Sequence, residues 1–223
     1  MDKQEKEIVI YKYNKRLKEF GYNPKTLGWD KERHYLRYHI LLNHWNLEEQ
    51  EVLDFGCGFG DMFDYINRAG IKLNYHGVDI NENLILTGKK IYPEADLSVR
   101  DIFVDGLGKQ YDYIFSSGTH NTKLNNNWNF IEKTFELCNK YSKKGFALNF
   151  MSNKVDYELE DIYHCDPASI ISLAYKYSNR ILFRNDYMPF EFTIFIDKQN
   201  NFDKSSVVYP EFVKFISKPQ FKS

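Results

Sequence analysis

The stretch VLDFGCGFGDMFDYI, residues 52–66, decides the fold of this chain. An apolar run ends in three closely spaced glycines, Gly56, Gly58 and Gly60, and a helical pattern of apolar residues follows. Glycine inside a regular element costs roughly 0.5–1 kcal/mol relative to alanine, so this cluster indicates a turn that needs a bare backbone. We therefore expect a strand at 51–55, a glycine turn and a helix over 61–69.

Strand-like and helix-like segments alternate on both sides of the glycine turn, which predicts an α/β fold with a mostly parallel sheet. Two β-rich runs near the end, separated by Met188 and Pro189, predict a C-terminal antiparallel hairpin. The strands are expected at 51–55, 75–80, 96–102, 111–118, 145–151, 180–187 and 190–197. Helices are expected at 4–20, 31–45 and 61–69, between Asn81 and Pro93, around 128–138, and after Asp166 and Pro167.

Length and composition favour one globular domain with additions. The chain has 223 residues, of which 43% are hydrophobic and 27% charged, enough for an ordinary core. We expect a helical N-terminal cap over residues 1–45, a main domain over 46–198, and a tail over 199–223 that packs on it.

Charge and cysteine content exclude several classes of protein. The formal net charge of −1 offers no general attraction for nucleic acid or anionic membranes. The three cysteines are widely spaced, which argues against a disulfide framework or a zinc site, and His34, His39 and His44 fan around their helix. We expect no metal site. No signal peptide or membrane helix is predicted, so a cytoplasmic location is expected.

The glycine turn lies where parallel α/β sheets bind ligands, at the carboxyl end of a strand. Asp79 ends the next strand, in the position from which an acid can accept hydrogen bonds from ribose hydroxyls. The sixth position of the dinucleotide fingerprint is Asp61 instead of glycine, and the carboxylate of Asp54 would repel a pyrophosphate. These acids favour the cationic cofactor S-adenosylmethionine (SAM) and disfavour a nicotinamide dehydrogenase, which remains an alternative.

The ordered motifs VLDFGCGFG, GVDI, RDI and YDYIFSSG resemble those of class I SAM-dependent methyltransferases, over roughly residues 45–197. The resemblance implies a Rossmann-like sheet with a closing antiparallel hairpin. It implies that the glycine turn passes under the methionine part, that Asp79 binds the ribose, that Asp101 accepts from the adenine amino group, and that Ser117 and Gly118 flank the methyl donor. The cofactor-binding residues predicted in this way are Asp54, Gly56, Cys57, Gly58, Asp79, Ile80, Asp101, Ile102, Ser117 and Gly118.

Residues that could contact the methyl acceptor are expected near the same edge of the sheet. His120 follows the fourth strand, and we expect it at the pocket mouth as a general base, since histidine accepts protons near neutral pH. The sequence LGW at 27–29 resembles a segment at the pocket entrance of bacterial small-molecule methyltransferases. The predicted substrate residues are Trp29, Asn121, Asp186, Tyr187 and Glu191.

The sequence therefore predicts a methyltransferase that acts on an oxygen of a small molecule or glycan precursor. A methyltransferase for protein or RNA, or an inactive SAM-binding module, remains open. Neither membrane insertion nor binding of nucleic acid is expected, and the sequence leaves the oligomeric state open.

Overall fold

The computed structural model describes residues 1, 3–29, 33–199, 201–202 and 204–216. Seven strands of these residues form a single sheet. The strands are β1 (Glu51–Phe55), β2 (Asn74–Asp79), β3 (Asp96–Val99), β4 (Tyr111–Ser116), β5 (Ser142–Met151), β6 (Ile181–Arg184) and β7 (Glu191–Asp197). The α-helices of the same residues are α1 (Lys3–Phe20), α2 (His34–Leu42), α3 (Asp61–Arg68), α4 (Glu82–Ile91), α5 (Ile102–Asp105), α6 (Asn127–Tyr141) and α7 (Pro167–Ala174).

The strand order is β3-β2-β1-β4-β5-β7-β6. The first five strands are parallel, and β7 lies antiparallel between β5 and β6. The chain reverses its direction of winding between β1 and β4, which is the switch point where open α/β sheets bind ligands. The predicted Rossmann-like sheet with its C-terminal hairpin is confirmed.

The core has two layers, one on each face of the sheet, as expected when helices cover both sides. On one face, α6 and α7 contribute Phe130, Phe135 and Leu173 to a cluster that includes Leu53 and Phe146. On the other face, apolar residues of α2, α3 and α4 pack against the sheet. These are Leu41, Met62, Ile66 and Ile85. With both faces covered, the edge at the carboxyl ends of the strands is left for function.

Two predicted strands end earlier in the structure. The strand expected over 96–102 ends at Val99, because Asp101 caps α5 by accepting from the N–H of Phe103 at 3.1 Å. The strand expected over 111–118 ends at Ser116, and Gly118 has a φ of +76°. Both differences bring the predicted site residues into turns at the sheet edge.

Helix α1 lies across the carboxyl ends of the strands. Its Lys6 pairs with Asp101, after β3, and its Lys12 lies 3.2 Å from Asp161, after β5. Asn14 accepts a hydrogen bond from Asn83 of α4 at 3.1 Å. The predicted helical cap therefore covers the edge of the sheet where the glycine turn lies.

The expected helix over 31–45 spans His34–Leu42, and residues 31 and 32 lie outside the described part. In the tail, the guanidinium carbon of Arg180 lies 4.1 Å from the centroid of the Tyr209 ring. Glu211 pairs with the same arginine. The domain boundaries at residues 45 and 198 and the cytoplasmic location stay predictions. Across the described residues, no helix is long and apolar enough to cross a membrane.

Candidate active site

The glycine turn has no room for side chains. Gly56 has a φ of +74°, and a Cβ there would lie 2.2 Å from Oγ1 of Thr119. Gly58 has a φ of +58°, and its Cβ would lie 3.1 Å from Leu27. Left-handed backbone and close neighbours both require glycine, so the turn presents bare backbone between β1 and β4.

Asp79, at the end of β2, closes this turn. Its Oδ2 accepts the N–H of Gly58 at 3.0 Å, and its Oδ1 accepts the N–H of Asn81 at 2.8 Å. Burial raises the pKa of this carboxyl, while the backbone donors oppose the rise. Each carboxylate oxygen keeps a further lone pair, so Asp79 can still accept from two ligand hydroxyls.

One cavity joins all ten residues predicted to bind the cofactor. It runs from the glycine turn past the ends of β2 and β3 to the turn after β4. The ten residues along it are Asp54, Gly56, Cys57, Gly58, Asp79, Ile80, Asp101, Ile102, Ser117 and Gly118. The substrate candidate Trp29 lines the same cavity. The cavity thus lies at the switch point of the sheet, beside β1.

The cavity has a cover, and the sequence analysis did not predict which residues form it. Helix α1 contributes Val9, Ile10 and Tyr13 to the lining, and the segment after it contributes Leu27. The apolar face of α1 was visible as helical spacing of Ile10 and Tyr13, but spacing alone does not say which surface a helix covers. Lys6 of the same helix pairs with Asp101, the acid expected at the adenine.

Two polar groups lie at the end of the cavity that is expected to hold the methionine part of the cofactor. Asp54 is buried and accepts a hydrogen bond from the hydroxyl of Tyr75 at 2.8 Å. Burial raises the pKa of this carboxyl to about 7, and the charges of Asp79 and Asp61 add to the effect. The hydroxyl of Ser117 is buried and has no hydrogen-bond partner among the described residues. A buried polar atom without a partner is costly, so Ser117 is suited to a ligand.

Residues 52–141 match a family model described as a methyltransferase domain. This part of the chain is similar to a methyltransferase domain. The matched residues run from β1 to the end of α6 and include the glycine turn, Asp79 and the turn after β4. The domain match and the chemistry of the cavity identify an enzyme that uses SAM as its methyl donor.

Relatives and solved structures agree with this domain. The chain is 29% identical over 154 residues to the putative methyltransferase Rv1506c of Mycobacterium tuberculosis, covering 66% of this chain and 92% of the relative. Magnesium protoporphyrin IX methyltransferase from Synechocystis PCC 6803, crystallised with SAM, superposes with a TM-score of 0.61 at 15% identity over 88% of this chain and 97% of that one. A SAM-dependent methyltransferase from Archaeoglobus fulgidus gives 0.61 at 14% identity over 78% and 97%. At these identities the structures show a shared fold.

The residues along the cavity fit SAM by their own chemistry. The turn from Gly56 to Gly58 presents backbone without side chains to the cavity, Asp79 keeps acceptors for the ribose hydroxyls, and Asp54 can supply negative charge for the ammonium group. The Ser117 hydroxyl lacks a partner at the end expected to hold the methyl donor. The cofactor roles of the individual residues stay predictions.

His120 does not lie at the mouth of the cavity, and this part of the sequence analysis is wrong. The side chain is 1% exposed and lies among Phe150, Phe130 and Phe55, with ring centroids 5.0, 5.3 and 6.5 Å away. Neither ring nitrogen has a hydrogen-bond partner among the described residues. Burial lowers the pKa of His120 to about 3. At this pKa the imidazole binds a proton too weakly to act as a general base near neutral pH.

Two substrate candidates also lie away from the cavity lining. Asn121 is buried, and its Oδ1 accepts from the N–H of Met151 at 3.3 Å, which joins the turn after β4 to β5. Asp186 is exposed and pairs with Arg184 at 2.8 Å. Asn121 therefore has a structural role, and Asp186 lies on the surface.

The remaining candidates, Tyr187 and Glu191, point into the protein. Glu191 begins β7, is 1% exposed, and pairs with Arg37 of α2. The hydroxyl of Tyr187 lies 3.3 Å from Glu191 Oε1 and 2.8 Å from Thr193 Oγ1. The hairpin was expected to present these residues at a mouth, but the antiparallel register of β7 against β5 turns Glu191 inward.

Proposed function

We propose that this enzyme transfers the methyl group of SAM to an oxygen atom of a small molecule or a sugar-containing precursor. The carrying observation is the cover of the cavity, in which α1 and the segment with Leu27 and Trp29 lie over the glycine turn. An acceptor must reach the methyl group within this cover, which suits a small molecule better than a folded protein or a structured RNA.

The charge of the chain agrees with this acceptor class. The formal net charge is −1, which gives no general attraction for a nucleic acid. A retained glycine turn with Asp79 and an unpaired Ser117 hydroxyl argues against a module that has lost its cofactor.

The chain contributes mainly position and exclusion of water. When bound, SAM supplies a methyl group on a positive sulfur, which an acceptor oxygen attacks in line as the carbon–sulfur bond breaks. The cover restricts the access of water to the cavity, and the turns after β1 and β4 line the sides between which the reacting groups would be positioned.

The carboxylates that line the cavity are already engaged. Asp79 accepts from two backbone N–H groups, Asp54 accepts from Tyr75, and Asp101 pairs with Lys6. We therefore assign none of them as a general base and propose that the acceptor proton leaves to solvent.

A labelling screen tests this function. The purified protein is incubated with methyl-labelled SAM and separate pools of nucleotide-linked sugars, small hydroxylated metabolites, RNA and protein, with Asp79→Ala as the matched control. The proposal expects label on an oxygen of a member of the first two pools, and less label with the control at the same low concentration of SAM. Label on RNA or protein alone, or binding of S-adenosylhomocysteine (SAH) with no transfer to any pool, would contradict it.

A further inference from the structure

A fully buried ion pair lies behind the wall of the cavity. Nε of Arg37, on α2, donates to Oε1 and Oε2 of Glu191 at 2.8 and 2.7 Å, and Nη2 donates to Oε2. The two residues are 3% and 1% exposed. Removing two charges from water is expensive, so such a pair needs further partners to be tolerated.

Those further partners lead to the cavity. Asn149 of β5 donates to Glu191 Oε1 at 3.0 Å, and its own Oδ1 accepts the N–H of Gly118 at 2.7 Å. Gly118 belongs to the turn after β4 that lines the cavity. One chain of hydrogen bonds thus connects Arg37 to the turn expected beside the methyl donor.

The same arginine also reaches that turn from the other side, through Trp29. The guanidinium carbon of Arg37 lies 3.9 Å from the centroid of the Trp29 ring. The far edge of the indole approaches Gly118 so closely that a Cβ there would lie 2.6 Å from Cζ2 and Cη2 of Trp29. Trp29, Arg37, Glu191, Asn149 and Gly118 therefore form a closed ring of contacts, which we call the Trp29 brace.

We propose that Arg37 is a positioning residue: held by Glu191, it fixes the Trp29 indole against Gly118 as the wall of the cavity at the methyl-donor end. This rests on the proposed function, since it places Trp29 between the cofactor and the route of the acceptor. Trp29 lines the cavity beside Gly118, so the brace fixes the shape of the cavity at that end.

The brace requires arginine specifically. Arginine presents a flat guanidinium that stacks on an indole while its edge pairs with a carboxylate, whereas lysine carries a compact charge without a flat face. Nη1 of Arg37 is buried without a hydrogen-bond partner among the described residues, so the ring contact is the interaction that the structure shows on that side. Arg37→Lys keeps the charge opposite Glu191 and removes the stack.

Titration of SAH tests the brace without knowledge of the acceptor. Dissociation constants are measured for the wild type, Arg37→Lys, Trp29→Ala and the double variant, with melting temperatures alongside. Arg33→Lys is the matched control, because Arg33 also lies over an aromatic ring, that of Phe190 at 5.3 Å, and neither residue lines the cavity.

We expect each brace variant to weaken SAH binding by about three- to thirtyfold, the range of cation–π contacts from exposed to desolvated. Arg33→Lys should bind like the wild type. The decisive result is the double variant: if Arg37 acts through Trp29, Arg37→Lys should have no further effect in the Trp29→Ala background.

Two outcomes would overturn the brace. Effects of Arg37→Lys and Trp29→Ala that multiply in the double variant would show that Arg37 acts independently of the indole. Unchanged SAH affinity in Trp29→Ala would also overturn the brace, even if Arg37→Lys failed to fold. Failure of the wild type to bind SAH at all would instead contradict the proposed function.

Discussion

The N–H of Gly58 donates to Oδ2 of Asp79 at 3.0 Å, so the carboxylate that ends β2 fixes the turn that ends β1. We predict that Asp79→Ala weakens SAH binding by about ten- to a hundredfold, because hydrogen bonds to a charged group contribute about 1.5–3 kcal/mol. Calorimetric titration measures this. Glu82→Ala, which removes an exposed acid nearby, is the control and should bind normally. Normal affinity in folded Asp79→Ala would show that Asp79 only holds the backbone at Gly58 and Asn81.

Asp54 gives cofactor binding a pH dependence. Its pKa is raised to about 7, first by burial, so it is largely neutral below that pH and charged above it. The charged form attracts the ammonium group of SAH. We therefore expect affinity to rise with pH, by at most about tenfold per unit below the pKa. Titrations at several pH values should show this rise in the wild type and a flat profile in Asp54→Asn. An equal rise in both proteins would assign the effect to another group.

Asp54 also makes the stability of the fold depend on pH. Rising pH lowers this stability, whereas it raises the affinity for SAH. Because the folded state raises the pKa of Asp54 above the ordinary value of 3.8, the folded protein holds a proton that the unfolded chain releases. The stability from this group is therefore lost as pH rises from about 4 to about 7. Asp54→Asn should show a smaller fall in melting temperature over that range than the wild type. A fall of the same size would show that Asp54 is not the group responsible.

His120 can be replaced by an apolar residue of similar size. Its two buried ring nitrogens have no partners among the described residues, and a buried polar group without a partner costs about 1–3 kcal/mol. We expect His120→Leu to melt at or above the wild-type temperature and to bind SAH normally. Once an acceptor is found, its turnover should match the wild type. Loss of turnover with intact binding would restore the catalytic role that the sequence suggested.

Gly56 is required by contact as well as by conformation. Gly56→Ala would place a Cβ 2.2 Å from Thr119 Oγ1, whereas Gly70, with a similar φ of +67°, has nothing within 4 Å of its Cβ. Both variants bear left-handed strain, so Gly70→Ala measures that cost alone. We expect Gly56→Ala to lose more stability than Gly70→Ala, and only Gly56→Ala to weaken SAH binding. Equal losses of stability without loss of binding would show that the turn tolerates a side chain.

Local sequence was enough for the sheet and for one side of the cavity. The predicted cofactor residues lie at the end of a strand or just after it, so finding the strands also located Gly56, Asp79 and Asp101 at one edge. Their arrangement follows from parallel strands ending together, which alternation of strands and helices already implies.

The acceptor side depends on contacts far apart in the chain. His120 comes shortly after β4, but Gly118, in a left-handed conformation, precedes a short 3₁₀ helix, and the imidazole packs among three phenylalanine rings. Glu191 was expected to face the substrate, but it pairs with Arg37, 154 positions earlier. The cover by α1 likewise depends on how a terminal helix crosses the sheet, which no local pattern specifies.

The central claim is that the glycine turn and Asp79 form a SAM site. The most direct measurement is calorimetric titration of the wild-type protein with SAH and, separately, with NAD. The account predicts saturable binding of SAH at one site per chain and no heat of binding with NAD. Tight binding of NAD without any response to SAH would contradict it.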